Sequence, residues 1–250
     1  MLFRSAPAGR LRGRIENVLD WASTRGYRQG DNPARWRGHL ENLLPKRGKV
    51  RKVRHHPALP YQEIGTFMAA LRSQEGIAAR ALEFAILTAV RTGEAIGAVW
   101  DEIDLRAKTW TIPAERMKGG LAHRVPLSDA VVAIVESMKP LANARFVFPG
   151  TRAAKPLADS ALADALKRLA RDDLTVHGFR STFRDWAAET TAFPREVAEM
   201  ALAHVVGNKV ESAYRRGDLL EKRRLLMDAW ATYCDIAGST NVVQIRRAAE

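Results

Sequence analysis

The residue types that could do chemistry concentrate in the last third of the chain. His177-Gly178-Phe179-Arg180 is followed by Leu202-Ala203-His204, and then by Tyr214 within Ala213-Tyr214-Arg215-Arg216. A tyrosine placed after two histidines and an arginine suggests a nucleophile beside an anion-binding pocket. A phenol with its ordinary pKa of about 10 is a poor nucleophile at neutral pH, and nearby cations with a hydrogen-bond acceptor lower that barrier. The formal charge of +12 makes a nucleic-acid phosphate the anion to expect. Together these residues point to cutting and rejoining of DNA through a covalent tyrosine–phosphate bond. Without its neighbours, Tyr214 reads as a half-buried aromatic.

Each remaining candidate also has two readings. His177 and Arg180 are three apart and share a helical face. The exposed N–H groups of a helix start add partial positive charge, which makes a phosphate cradle. The plainer alternative is an N-terminal histidine and a surface arginine. His204, near a helix end, is either a cap or a ligand. Arg91 sits where an apolar helix meets a Gly-containing turn, and an unpaired buried guanidinium is costly. Glu94, three residues on, could simply satisfy it, or could hold the fork while its free face grips a phosphate bidentately. Lys118, within Glu115-Arg116-Met117-Lys118-Gly119-Gly120, lies at the turn of an expected hairpin. There it is either solvated or able to donate a proton to a leaving oxygen. As a set, these are the types that phosphoryl transfer to a tyrosine requires. The sequence has no Gly-x4-Gly-Lys-Ser/Thr loop and no carboxylate cluster for a metal, so arginine and histidine clamps would do the electrostatic work of Mg²⁺.

Elements must position these residues, and 250 residues suffice for one domain with a core plus a smaller piece. The pI near 10.3 favours a polyanionic partner. A membrane surface would also suit that charge. No apolar run approaches the roughly 20 residues of a spanning helix, however, and no basic segment with an apolar h-region opens the chain. A cytoplasmic nucleic-acid binder is expected. Cys234 is the only cysteine, which excludes an intramolecular disulfide and a cysteine-rich zinc site and leaves a packing role.

The fold class expected is mainly α with one small antiparallel β-sheet. Residues 1–54 read as a partial helical segment followed by a basic linker. Ile15, Val18, Leu19 and Trp21-Ala22 share one helical face, and Gly26 with Asp31-Asn32-Pro33 ends that helix. Residues 55–236 turn globular. Helices are expected through Ile64–Leu71 and through Ile77–Val90, the second apolar on most faces and therefore central. Thr109–Ile112 and His123–Leu127 suit a hairpin turned at Gly119-Gly120, with Pro126 marking an edge strand. Ser128 is expected to cap the next helix, and Asp159 or Ser160 to start another. His177–Glu189 and Pro194–Ala203 follow, the latter with proline in its first turn. Asp218 and Glu221 form a capping-box-like pair for the last long helix. Residues 237–250 lack periodicity and are expected to form a mobile tail.

At this point the chain resembles the tyrosine recombinases, in particular the phage-type integrases of prophages, satellite phages and genomic islands. The matching stretches are Asp31–Trp36, His55–Tyr61, Arg91–Glu94, Ile112–Lys118, His177–Arg180, Leu202–His204 and Ala213-Tyr214. Their order and spacing are specific where each alone is weak. The resemblance implies that Arg91 and Arg180 bind the non-bridging oxygens of the scissile phosphate. His177 and His204 would complete that shell and assist proton movement. Lys118 would protonate the departing 5′-hydroxyl, Glu94 would support Arg91, and Tyr214 would attack to leave a 3′-phosphotyrosine. It further implies no metal, ATP or other cofactor, a double-stranded attachment site as partner, a tetramer on that DNA, and accessory DNA-bending proteins. The expected location is the bacterial cytoplasm, with the nucleoid.

The pattern departs from that family at its start, where an arm-binding domain and most of a core-binding domain are expected and only the last part of the latter is read. The expected function is therefore site-specific recombination by an amino-terminally truncated integrase. The alternatives are a DNA-binding remnant without catalysis, a type IB topoisomerase-like relaxing activity and, last, a metal-dependent nuclease.

Overall fold

A computed structural model describes residues 6–44, 57–141, 145–152, 154–204 and 217–236. Tyr214 with Arg215 and Arg216, the basic run 46–54, His55-His56 and the tail from residue 237 lie outside the described residues. The chain divides into two compact units, residues 1–55 and 56–250.

The first unit is built on α1 (Ala6–Thr24). Its apolar face does not form a core: Ile15, Val18 and Trp21 are 44%, 63% and 56% exposed. Polar side chains instead stitch the following loop to the helix. Asn32 Nδ2 donates to Glu16 O at 2.9 Å and to Asp20 Oδ1 at 2.7 Å. Its Oδ1 accepts from Ala34 N at 2.9 Å. Arg12 donates to Glu16 and to Ala34 O, both at 2.6 Å, and its guanidinium lies over the Trp36 ring. The Asp31–Trp36 motif thus acts locally as a cap on α1.

The second unit is helical around α3. Helix α2 (Ile64–Arg72) and helix α3 (Ile77–Thr88) open it. Nine residues of α3 are buried, in agreement with its being apolar on most faces. Among them Glu83 is an acid, held by Arg72 at 2.6 Å and Arg80 at 2.7 Å. Short α4 (Thr92–Ile96) precedes the sheet. Strands β2 (Thr109–Ile112) and β3 (His123–Pro126) pair antiparallel, Ile112 opposite His123 and Thr109 opposite Pro126. A two-residue strand, β1 (Ile103–Asp104), adds a third member that the sequence pattern did not signal. The order β1-β2-β3 leaves β3 and its Pro126 on an edge, as expected.

Among the described residues five α-helices follow the sheet: α5 (Asp129–Ser137), α6 (Ala161–Arg168), α7 (Gly178–Thr190), α8 (Arg195–Ala201) and α9 (Leu220–Asp235). Trp230 of α9 is fully buried, donates its indole N–H to Ile86 O at 3.0 Å, and packs against Phe183 and Trp186 of α7. This seam fixes α7 and α9 to the central helix. Cys234 is fully buried in α9, a packing residue as expected, and burial pushes its thiol pKa well up.

Local expectations fail at three helix starts. Ser128 does precede α5, but makes no capping bond, and its buried Oγ has no hydrogen-bond partner among the described residues. Pro194 stands at the cap position itself, not in the first turn of α8. The Asp218/Glu221 capping box does not form as read: Leu219, at φ 53°, is the cap of α9, and arginines engage the Asp218 carboxylate.

Candidate active site

Arg180 is the centre of the site. It lies in the first turn of α7 and is only 5% exposed. Its helix can approach the chain so closely because residue 178 is glycine; a Cβ there would sit 2.0 Å from Pro57 O. Two helix ends receive the guanidinium. Nη1 donates to Ala89 O at 2.5 Å, at the C-terminal end of α3. Nη2 donates to Leu202 O at 2.6 Å, just past α8. Helix C-terminal carbonyls carry partial negative charge and stabilise a cation there. Both turns use alanine in the left-handed region, Ala89 at φ 53° and Ala203 at φ 49°. That conformation costs an L-residue about 1–2 kcal/mol, so the backbone is held in place by its surroundings.

Carbonyl dipoles do not neutralise a full charge. Among the described residues no carboxylate pairs with Arg180. Burial and, after it, the charge of Arg91 together lower its pKa to about 10, against a smaller opposing effect of Glu94. Two guanidinium groups thus act on one another, and among the described residues Glu94 is the carboxylate that offsets the Arg180 charge.

Arg91 forms the other half. It caps α4 and is locked by its expected partner: Glu94 accepts from the Arg91 backbone N–H and from Nη1, each at 2.8 Å. Glu94 is 5% exposed and Arg91 28%, so the carboxylate is spent inside while part of the fork remains accessible.

His204 joins the same group. Its N–H donates to Glu199 O at 2.9 Å, which curls the chain past the end of α8. Its Nε2 lies 3.3 Å from Arg180 Nη2 and its Nδ1 lies 2.7 Å from Glu199 Oε2. A proton on Nδ1, donated to Glu199, leaves Nε2 free to accept from Arg180; the second ring nitrogen of a histidine is commonly fixed in this way. Glu199 also receives Arg184 at 2.8 Å. Burial pushes its carboxyl up, but the His204 and Arg184 contacts outweigh this and hold it below the usual range. His177 caps α7 and is engaged within the structure.

Lys118 is placed on an exposed turn between β2 and β3, as the hairpin predicts, and makes no hydrogen bond or ion pair with the residues above. The structure therefore brings together Arg91, Glu94, Arg180 and His204, with His177 at the head of the same helix as Arg180. It leaves Lys118 apart on its turn, and Tyr214 outside the described residues.

Sequence reasoning missed several members of this neighbourhood. Glu199 is five residues before His204, a spacing with no simple helical rule. His123 is the first residue of β3, and burial, with the Arg223 charge, pushes its pKa down to about 4. Alternation offered a signal here, since His123 shares a face with the buried Val125 and Leu127. Arg223 is 1% exposed in α9 and bonds Asp218 Oδ2 at 2.9 Å, Asp218 O at 2.7 Å and Arg124 O at 2.5 Å. Helical spacing was the available clue, since Arg223 shares a face with the buried Leu226, Met227 and Trp230. Among the described residues no group of three or more His, Cys, Asp or Glu could hold a metal ion. No described helix is long and apolar enough to cross a membrane.

Comparison with known proteins gives concordant results. Residues 58–219 match the phage integrase family, and residues 4–39 match the phage integrase central domain. The chain is 45% identical over 161 residues to the prophage integrase IntA of Escherichia coli K12, covering 63% of this chain and 39% of that protein. It is 30% identical over 249 residues to the integrase of Enterobacteria phage P4, covering 92% of this chain and 55% of the relative. The chain thus spans about half or less of the length of these relatives. In structure it is similar to a lambda integrase solved as a tetramer bound to a Holliday junction, with TM-score 0.58 and 18% identity over 82% of this chain and 60% of that one. At that identity the likeness shows the fold.

Proposed function

The chain belongs to the phage integrase family, and from that premise we propose that it breaks and rejoins DNA at a specific site through a 3′-phosphotyrosine. The reading rests above all on Arg180: a guanidinium 5% exposed, without a carboxylate partner among the described residues, beside a second guanidinium. A phosphodiester supplies the negative charge that this arrangement lacks, and the planar forks of Arg91 and Arg180 match its two non-bridging oxygens. His204, oriented by Glu199, and His177 complete the shell.

In the proposed step the Tyr214 oxygen bonds to phosphorus as its proton passes to a histidine of that shell. The P–O5′ bond breaks, and the departing oxygen takes a proton from Lys118. The 5′-hydroxyl of a partner strand then attacks the phosphotyrosine, restoring the phenol. One ester replaces another at each stage, so no nucleotide hydrolysis is needed. The partner is a double-stranded attachment site in the nucleoid of a bacterial cytoplasm. Strand exchange requires several copies on that DNA, a reading supported by the tetrameric DNA complex of the lambda relative. Residues 4–39, matched to the central domain, contribute part of the hold on the duplex.

The test is covalent capture. The protein is incubated with a pool of nicked duplexes of randomised sequence, and adducts are isolated under denaturing conditions and sequenced. Wild type is expected to form adduct on a defined sequence, and Tyr214→Phe to form none. Equal adduct from both proteins sinks the assignment. Salt-sensitive binding without adduct would identify a non-catalytic binder, and relaxation of plasmid lacking the recovered sequence a topoisomerase-like enzyme.

A further inference from the structure

Lys118 makes no hydrogen bond or ion pair with another described residue, so the backbone that carries it determines where it can reach. That backbone is tied to the Arg91 segment through Arg116. Arg116 Nη2 donates to Glu94 O at 2.7 Å. Glu94 is the residue whose carboxylate locks Arg91. On its other side Arg116 Nη1 pairs with the Glu102 carboxylate. Glu102 Oε2 also accepts from Trp110 Nε1 at 2.9 Å, and Trp110 is fully buried in β2. The guanidinium, a planar fork with fixed donors, is thus held between the sheet and the α4 turn.

Two further details tighten this link. A Cβ on Gly97 would lie 2.7 Å from Arg116 Nη2 and 2.9 Å from Gly93 O, so the glycine leaves the passage the guanidinium uses. Met117, between Arg116 and Lys118, is 8% exposed, which anchors the chain up to the residue before the lysine.

We propose that Arg116 is a positioning residue for Lys118: by binding the Glu94 carbonyl it fixes the start of the lysine turn relative to Arg91, and so sets the ammonium's reach to the leaving oxygen. This rests on the reading of Lys118 as proton donor. In that step the electron pair of the P–O5′ bond passes to oxygen, which takes a proton from the ammonium and leaves a neutral amine. An alkoxide needs that proton. A thiolate, whose thiol has a pKa of about 8.5, leaves without it.

The experiment uses the full chain and a nicked duplex recovered from the randomised pool, made once with oxygen and once with sulfur at the bridging 5′ position. Adduct formation is timed for wild type, Arg116→Ala, Arg116→Lys, Glu102→Gln, Lys118→Ala and Arg91→Ala. With oxygen, Arg116→Ala and Lys118→Ala are expected to slow by about 100-fold or more, the usual scale of general acid catalysis. With sulfur both should return close to wild type, while Arg91→Ala stays slow on both. Arg116→Lys, which keeps one bond of two, should show a smaller loss with the same recovery. If Arg116→Ala is slow on both substrates, or slow on neither, the inference is overturned while the recovery of Lys118→Ala preserves the proton-donor reading. If Lys118→Ala itself fails to recover, that reading falls and the inference with it. Should Arg116→Ala not fold by thermal melt, Glu102→Gln decides: an oxygen-specific loss supports the proposal, and its absence overturns it.

Discussion

Arg180 and Arg223 are two buried arginines in one unit, 5% and 1% exposed, and burial lowers the pKa of both. Each donates to two backbone carbonyls. They differ in what balances the charge. Arg223 meets the Asp218 carboxylate at 2.9 Å, and Asp218 also binds Arg124 at 2.8 Å. Arg180 pairs with no carboxylate among the described residues; the Arg91 charge acts on it, and the Glu94 carboxylate offsets this only in part. A buried cation without a counter-charge costs several kcal/mol. A fold tolerates that cost where an external anion supplies the missing charge. The Arg223 group joins β3 to α9 and carries its own counter-charge; the Arg180 group lacks one among the described residues, and the proposed phosphodiester would supply it.

The sharpest way to break this contrast is to replace each arginine by lysine. Arg180→Lys keeps a positive charge but loses the fork. Adduct formation should fall by about 100- to 1,000-fold, the scale seen when a preorganised charge-stabilising donor is lost. Its thermal melt should fall less than that of Arg223→Lys, because carbonyl hydrogen bonds are at stake but no ion pair among the described residues is. Retained adduct formation would break the contrast from the Arg180 side.

Arg223→Lys should do the reverse. Lysine keeps the charge but cannot hold two backbone carbonyls and the Asp218 carboxylate at once, and each charge-assisted hydrogen bond lost costs about 1.5–3 kcal/mol. Denaturant melts measure that loss, and adduct per folded molecule should stay near wild type. If chemistry per folded molecule falls as steeply as for Arg180→Lys, the two groups are not separable.

The contrast also explains what was legible in the sequence. Helix α3 could be read because a segment apolar on most faces has one physical outcome, burial. The hairpin could be read because alternation, Gly119-Gly120 and Pro126 agree. The types and order of Arg91, Glu94, His177, Arg180 and His204 were likewise readable, and the structure gathers Arg91, Glu94, Arg180 and His204. Charge balance was not readable, because it depends on which chain segments meet. Residue type alone does not say which partners Arg116 and Arg223 find, and it marks Asp218 as a helix cap, whereas tertiary contacts tie Arg116 to Glu94 and Glu102 and Arg223 to Asp218. Strand β1, two residues long, carries no period to detect. Ser128 has a capping residue's type and position but not its bond.

His123 offers a finer test, since it feels both groups. Burial and the Arg223 charge push its pKa down to about 4, while Glu94 and Asp218 oppose them. Its ring also hydrogen-bonds the backbone of Ala201, two residues before the turn that holds Arg180 and His204. A histidine whose folded pKa lies below its unfolded value of about 6.5 takes up a proton first in the unfolded chain. Stability contributed by neutral His123 is therefore present above pH 6.5 and is lost as pH falls toward 4. The loss should be on the order of 1 kcal/mol at pH 5.5 and about 3 kcal/mol at pH 4. Denaturant melts across that range should show the slope in wild type and a flatter profile in His123→Asn, which keeps a neutral donor. In Arg223→Met the midpoint should move up, because the repelling charge is gone. An unchanged midpoint there would mean that burial alone sets His123, and that the Arg223 charge is fully cancelled by Asp218 before it reaches the neighbouring site.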